Sequence, residues 1–525
     1  MEKQKSRRQE ELALANRIWQ MYQMGLQHHR RHNLYDRSQR CHRFYEGDQW
    51  YAEGGGLEEE NLPIYNFIEP VVNYKVATVA MRSMDIHYSD MGGQVTAAQC
   101  KALDDYAARM WESKKMTSQL WDLVREACIT GDSYLYFYDA GLHHQLVDGT
   151  AVFLADEEEP DLQKQQYILL MERLPVETVR REAVRNGMTR QEAEEIAADN
   201  DSPWWSVEQS QKSSDRGKCT SLLFMEKTEE GVRFCRCTRN AVYLPMQTIA
   251  GMKLYPMVSL VWKRRYHSAR GRGEVFHLIP NQIEVNKTLF RRLQAMKAAA
   301  FPKPVYVEGM VENPEEVTAI GSPIKVREGT VHKVNEVFTY LSPTHISADA
   351  ALLQNELISQ TRGLAAAGDA ALGDINPEAA SGAAIVAVRE AQAVPLNEQS
   401  AAFRQVVEDI ALVWLDMLAV YYPANLTAEE RRKMPEKALL AGLRLAARVD
   451  VSPVDPYSRY AREQAVRSAL NERHITFEEY VAALDERSNV PKRKFEEILK
   501  RRSEALELQA AAKRLTDQME EGEER

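Results

Sequence analysis

The sequence predicts an α+β fold that is mostly α. Three features point there. Alternating, aromatic-rich runs gather between residues 132 and 262, as the strands of one body would. Elsewhere apolar residues recur at three- and four-residue spacing, the pattern of amphipathic helices. A second, smaller group of strand-like runs at 303–341 stands between two helical runs, 272–300 and 346–364.

Residues 1–46 read as helical, first charged and Gln-rich, then basic and aromatic up to Gly47. The acidic, glycine-rich EGGGLEEEN follows as a loop. After a Pro-marked extended piece, Ile68, Val71, Val72, Lys75, Val76 and Val79 share one face of a helix, and DIHYSD reads as a short strand. Residues 94–128 read as a long amphipathic helical region, with Gly131 as its C-cap. SYLYFYDAG alternates as a strand should. AVFLA, YILLMERL, TSLLFMEKTEEGVRFCRCT, AVYLPM and YPMVSLVWK are further strand candidates. VETVRREAVRNGMTRQEAEEIAAD reads as a helical pair, and DNDSPWWSVEQSQKSSDRGK as an exposed loop.

The second half divides differently. A body over 1–271 leads into one helix, 272–300, and then a compact β-rich insertion, 301–345. A returning helix, 346–364, is followed by an Ala- and Gly-rich loop, 365–378. A very long helix covers 379–423, with a kink expected at Pro395. Residues 424–525 read as helical, with breaks at Pro435, Pro453, Pro456 and Pro491. No internal repeat is present. A length of 525 residues suggests about three or four domains.

Hydrophobic residues make up 44% and charged residues 27%, which excludes a disordered or disulfide-stapled chain. The net charge of −10 argues against a protein coated in basic charge, but not against one that lets a polyanion slide past. Six cysteines over so long a chain point to free thiols in a reducing compartment. The N-terminus has no apolar stretch of a secretory signal, and Glu408, Asp409 and Asp416 interrupt the most apolar long run, Val406–Tyr422. Neither a membrane span nor secretion is expected.

Enzyme signatures are missing. There is no phosphate-binding GxxxxGK[ST], HExxH, GxSxG or post-strand GxGxxG, so no catalytic residue and no cofactor is expected. His28-His29, His143-His144 and Cys41-His42 lack a second ligand pair at finger spacing, so no metal is expected. Cys235 and Cys237 read as two small buried residues on one face of a strand.

The order of the pieces resembles the portal proteins of tailed bacteriophages. Local stretches carry the likeness: NFIEPVVNYKVATVAMRSMDIHYSD, MTSQLWDLVREACITGDSYLYFYDAG, GRGEVFHLIPNQIEVNKTLFRRLQAMKAAAFPKPVYVEG and DINPEAASGAAIVAVREAQ. The likeness covers residues 45–423. It implies a portal-like architecture: a wing (1–271), two stem helices (272–300 and 346–364), a clip (301–345) and a tunnel loop (365–378). A long kinked wing helix (379–423) and a helical crown (424–525) complete it.

By this resemblance the chain is a homo-oligomeric ring, typically of twelve subunits, at a capsid vertex of the virion. It would be assembled in the host cytoplasm and would pass double-stranded DNA during packaging and ejection. Implied partners are terminase at the clip, neck, head-completion or tail adaptor proteins, and major capsid and scaffolding proteins. Another head–tail connector or minor capsid protein is the alternative, and would lack the module at 272–364. A cytoplasmic enzyme or regulator with a helical C-terminal domain is the alternative of another class, and would need a pocket of convergent polar groups.

Within that frame the stem helix divides by face. Ile279, Ile283, Leu289, Phe290, Leu293 and Met296 form an apolar stripe, with Ile283, Leu289, Leu293 and Met296 as candidates for subunit packing. Glu284, Lys287 and Arg291 share the polar face. Lys287 and Arg291, with Arg292 and Lys297, are candidates for bore-facing charge. The open alternative is pairing with Glu284 or a neighbouring subunit. In the tunnel loop, which includes Asn376, Gly368 and Gly373 give freedom, while Asp369 and Asp374 would repel DNA. The segment His28–Arg43 could bind nucleic acid or a neighbouring subunit.

Overall fold

The computed structural model describes residues 2–50, 62–80, 82–90, 95–199, 217–300, 302–317, 322–327, 333–341, 349–368, 391, 393–422, 426, 428–436, 440, 445–453, 466–472, 474–483, 494–495, 498 and 500–501. The EGGGLEEEN loop, most of the DNDSPWWSVEQSQKSSDRGK loop, and Asp369, Gly373, Asp374 and Asn376 lie outside them.

The N-terminal helical region is two helices, α1 (Glu2–Arg31) and α2 (Leu34–Glu46), parted where Asn33 adopts a left-handed conformation with φ 50°. Helix α3 (Ile68–Ala80) buries the predicted face, and strand β1 (Arg82–Asp90) follows. Residues 94–128 are not one helix. They form α4 (Ala97–Ser113) and α5 (Met116–Thr130), split at Lys115, which has φ 52°. Thr96 and Gln99 start α4 with a reciprocal capping box.

The strands then run β2 (Asp132–Tyr138), β3 (His143–Asp148), β4 (Val152–Leu154) and β5 (Tyr167–Pro175). The predicted helical pair is α6 (Val176–Arg185) and α7 (Arg190–Glu194). Strands β6 (Lys218–Thr228), β7 (Gly231–Cys237), β8 (Val242–Ala250) and β9 (Met257–Val261) complete the body. β4-β5-β6-β7-β8 form an antiparallel five-stranded meander, and β3-β2-β9 a three-stranded sheet.

Strand alternation decides which side chains meet which helix. Leu169, Met171, Leu222, Phe224, Cys235 and Cys237 point to one face of the meander, where Ile18, Trp19, Tyr22 and Leu26 of α1 cover them. Cys219 and Tyr243 meet Val179 and Ala183 of α6 and Ala193 of α7. Both Cys235 and Cys237 are buried free thiols, and burial pushes Cys235 up to about 12. Two sheet faces covered by apolar helix stripes are thus the body's stabilising element.

Helix α8 (Val275–Ala300) leaves the body, starting three residues after the expected boundary. Strands β10 (Pro304–Tyr306) and β11 (Phe338–Tyr340) pair antiparallel, and Val311 bridges Val326 in place of a third full strand. Val311, Val317 and Val337 give this module its own small core. Helix α9 (Asp349–Leu364) returns.

At Pro395 the expected kink is a 3-10 turn, Val394–Leu396, after which α10 (Asn397–Val420) runs on as an α-helix. Helix α10 packs on α3 and β9, with Trp414 edge-on to Phe137. Asp416 is used locally: its carboxylate accepts from the backbone N–H groups of Lys253 and Leu254 at 2.7 and 2.9 Å.

The C-terminal region is not purely helical. After α11 (Ala428–Lys433), residues Leu445–Pro453 form strand β12, which pairs with β1. LAARVDVSP alternates at period two, and its partner lies far back in the chain, so only the tertiary fold selects strand over helix. The chain divides into two compact units, most of it in one and residues 451–525 in the other together with 81–84 and 381–387. In the second unit, α12 (Phe477–Ala483) centres a small cluster of Tyr480 and Val481 with Val466, Leu470, Ile475 and Phe495.

Candidate functional site

The module α8–insertion–α9 leaves several large apolar side chains exposed, among them Met296, Val305, Leu352 and Leu353. Its root is fixed by polar side chains that no periodicity reveals. Gln282 and Asn286 lie one turn apart on α8 and are buried. Gln282 accepts from Phe67 N at 3.1 Å and donates to the Tyr65 carbonyl at 2.6 Å. Asn286 accepts from Tyr65 N at 3.1 Å and donates to Gln49 Oε1 at 2.6 Å. Side-chain amides therefore satisfy the extended backbone of 65–67, which belongs to no sheet.

Below this root the chain crosses itself at close quarters. A Cβ on Gly271 would lie 2.0 Å from the Gly131 carbonyl oxygen, and Gly131 holds φ +128°. Only glycine at both positions lets the end of α5 and the approach to α8 pass. The predicted C-cap role of Gly131 is therefore joined by a crossing role.

Arg270 stands beside that crossing, wholly buried. Its guanidinium forks onto Glu157, Nε to Oε2 at 2.7 Å and Nη2 to Oε1 at 2.8 Å. It also donates to Asp132 at 3.2 Å and to the carbonyls of Gly149 and Val152, both at 2.6 Å. The two acids differ accordingly. Burial pushes both up, but the bidentate contact carries Glu157 well below the usual carboxylate range. Asp132, with one longer contact, stays raised. A second buried pair, Lys75 and Glu274 at 3.0 Å, ties α3 to the start of α8. Against the effect of burial, Lys75 and Lys263 bring Glu274 down to about 2.

His29 closes the Arg270 cluster. Tyr35 Oη donates to the Thr150 carbonyl at 3.0 Å, so its contact with His29 Nδ1 at 3.1 Å is donated by the imidazole. His29 Nε2 then accepts from Arg270 at 3.1 Å. His28, His29 and Glu157 have ligand atoms within 4.8 Å of one another, yet the Nε2 lone pair and the carboxylate already face Arg270. A cation there would have to displace a guanidinium, so this group does not fit a metal.

Burial lowers the His29 pKa to about 4. Unfolded, the ring binds a proton near 6.5; folded, it resists until about 4. Its contribution is thus present above 6.5 and lost as pH falls from 6.5 to 4. Asp148, raised by burial to about 6, acts in the opposite sense over nearly the same window, so the test is a difference. Between pH 7 and pH 4, wild type should lose on the order of 3 kcal/mol relative to His29→Gln. Urea unfolding of both proteins at the two pH values measures it, and parallel curves would reject the assignment.

The predicted stripe on α8 divides in two. Ile279 is buried by the chain itself, and Phe290 sits edge-on to Trp50. Ile283 and Leu289 are half-buried, whereas Leu293 and Met296 are 38% and 67% exposed. On α9, Leu352 and Leu353 are exposed as well. The stripe therefore serves the body at its root and stands open toward its tip.

The four candidate charges also separate. Lys287 Nζ pairs with Glu284 at 3.0 Å on the exposed face, the alternative raised by the sequence. Arg292 reaches across to α9 and donates to Gln354 at 2.7 Å, so it is engaged within the hairpin. Asn281 likewise donates to Thr361 at 2.9 Å. Arg291 and Lys297 are exposed. Of the loop residues, Gly368 is half-buried after the turn that ends α9; Asp369, Gly373, Asp374 and Asn376 lie outside the described residues.

No helix among the described residues is long and apolar enough to cross a membrane. The profile of one family, described as phage P22-like portal protein, matches residues 105–427. No curated protein matches the chain.

Proposed function

The chain belongs to the phage P22-like portal protein family, and on that premise we propose that it forms the ring-shaped channel for genome DNA at one vertex of the capsid. The family implies a ring assembly in the phage head and a structural rather than enzymatic role. The observation that supports the channel reading is the excursion Val275–Leu364: two helices holding a small β-module, with apolar surface that one chain leaves open.

In this reading α8 and α9 are the stem, residues 301–345 the clip, and 365–378 the tunnel loop. Twelve copies would close the ring. Arg291 and Lys297 remain free to face passing DNA, while Lys287 is largely neutralised by Glu284. An acidic chain with few cations in its bore would let a duplex slide, since each phosphate contact adds affinity. Terminase, and later neck or tail adaptor proteins, would dock on the clip, where Val305, Val307, Tyr340 and Leu341 are exposed. Capsid and scaffolding proteins would contact the body. A head–tail connector of another kind would lack this helix–β–helix module.

Two measurements test the reading. Electron microscopy of the purified protein should show closed rings with a central hole; compact single particles at every concentration would overturn it. Deleting 306–340 behind a short linker should keep the body folded and abolish DNA packaging. Filled heads at wild-type levels from that deletion would remove the clip from the docking role.

A further inference from the structure

One concave site on the body is not used by the channel reading. Arg37, Lys263, Arg264, Arg265, Arg272, Phe276, His277 and Glu398 line a cleft of about 440 Å³. Five cations face one lining acid there. Lys263 is partly neutralised by Glu274 at 2.6 Å. The Arg37 Nε is buried without a hydrogen-bond partner. Arg37 instead lies over the Phe276 ring, 4.4 Å from its centroid. Burial lowers both Arg37 and His277, and nearby guanidinium groups push the same way, Arg265 and Arg272 on Arg37 and Arg272 and Arg37 on His277, against Cys41 and Asp132 at Arg37 and Glu274 at His277.

Beside the cleft the chain makes a tight loop. Arg265 bridges Ser268, His267 turns with φ 47°, and Tyr266 stands 91% exposed at the tip with its ring 4.1 Å from His267. An aromatic ring 91% exposed, next to convergent guanidinium groups, is the combination that holds a nucleic-acid strand: phosphate on the cations and a base on the ring. A protein carboxylate would engage one guanidinium fork, leaving most of this charge uncompensated. The overall charge of −10 does not oppose the inference, because the cations are gathered in one place.

We propose that this cleft binds a phosphate of a nucleic-acid strand, with Tyr266 as the platform for an unpaired base. The inference goes beyond the channel reading and does not depend on it, since the cleft is made by one chain's body.

The experiment uses the full-length protein and fluorescence anisotropy with single-stranded and duplex DNA of equal length, at about 50 and 200 mM salt. Arg265→Gln with Arg272→Gln should weaken binding of both DNAs and lower the salt slope by about 2. Tyr266→Ala should weaken the single strand about tenfold and leave the duplex unchanged. Inorganic pyrophosphate should compete with both. An unchanged affinity and slope in the double variant would overturn the site. Pyrophosphate binding that leaves DNA binding untouched would assign the cleft to a free polyphosphate and overturn the nucleic-acid proposal. A double variant that alters oligomer size by chromatography, with DNA binding unchanged, would give the cleft to acidic side chains of a second copy. Ring images of the same variants keep failure of this site distinct from failure of the channel reading.

Discussion

Replacing Arg270 with leucine is expected to destabilise the body by about 3–5 kcal/mol, because a buried charge partner is removed while its acids stay behind. Glu157 loses both arms of its contact, Asp132 loses its cation, and the carbonyls of Gly149 and Val152 lose a donor. The cost is not confined to one element. His29 on α1, the start of β2, the turn before β4 and the segment leading to α8 all meet at this side chain. Arg270→Lys keeps the charge but not the fork, so it should fall between leucine and wild type. Urea unfolding of the three proteins at pH 7 decides it. A leucine variant within 1 kcal/mol of wild type would mean that the cluster holds nothing together.

Leu293→Asp combined with Met296→Asp is expected to abolish ring formation while leaving the single chain folded. Both side chains are exposed in one chain, so the substitutions cost little there. In a ring whose stem helices pack side by side, two carboxylates would enter an apolar contact and could be neither paired nor hydrated. Sedimentation should show a monomer with wild-type helical content by circular dichroism. Intact rings would rule out this stretch of α8 as the packing face. The same change at Ile279, which the chain buries itself, should instead unfold the protein.

What the sequence made visible is what depends on nearby residues. The α8–insertion–α9 order, the apolar faces of α3 and α8, the glycine that ends α5 and the break at Pro395 all follow from spacing within a few turns. Lys115 and Asn33 were hidden because a left-handed residue other than glycine leaves no mark in an otherwise periodic helix. HHQLVD, half-exposed and polar, carries no strand signal for β3, and the pairing of β12 joins distant parts of the chain.

The site followed the same rule. Leu293 and Met296 could be named from the heptad-like stripe, but their exposure relative to Ile279 could not. Gln282 and Asn286 look like ordinary polar positions of a helix until residues 65–67 are laid against them. Arg270 is one of many arginines in KRRYHSARGR, and only the assembled fold separates the buried one from those lining the cleft.

The two side-chain bonds between α8 and α9 have a mechanical consequence. Asn281–Thr361 and Arg292–Gln354 sit eleven residues apart on α8, about 16 Å along its axis. Two parallel struts cross-tied at two heights behave as a truss: bending one requires the other to slide past it, and sliding must break both ties. A sideways push on the β-module would then be carried to Gln282 and Asn286 as leverage on residues 65–67, rather than absorbed by flexing of a single helix. Cutting the outer tie with Arg292→Ala should leave the anchorage intact and soften the strut pair, turning one stiff arm into two compliant ones.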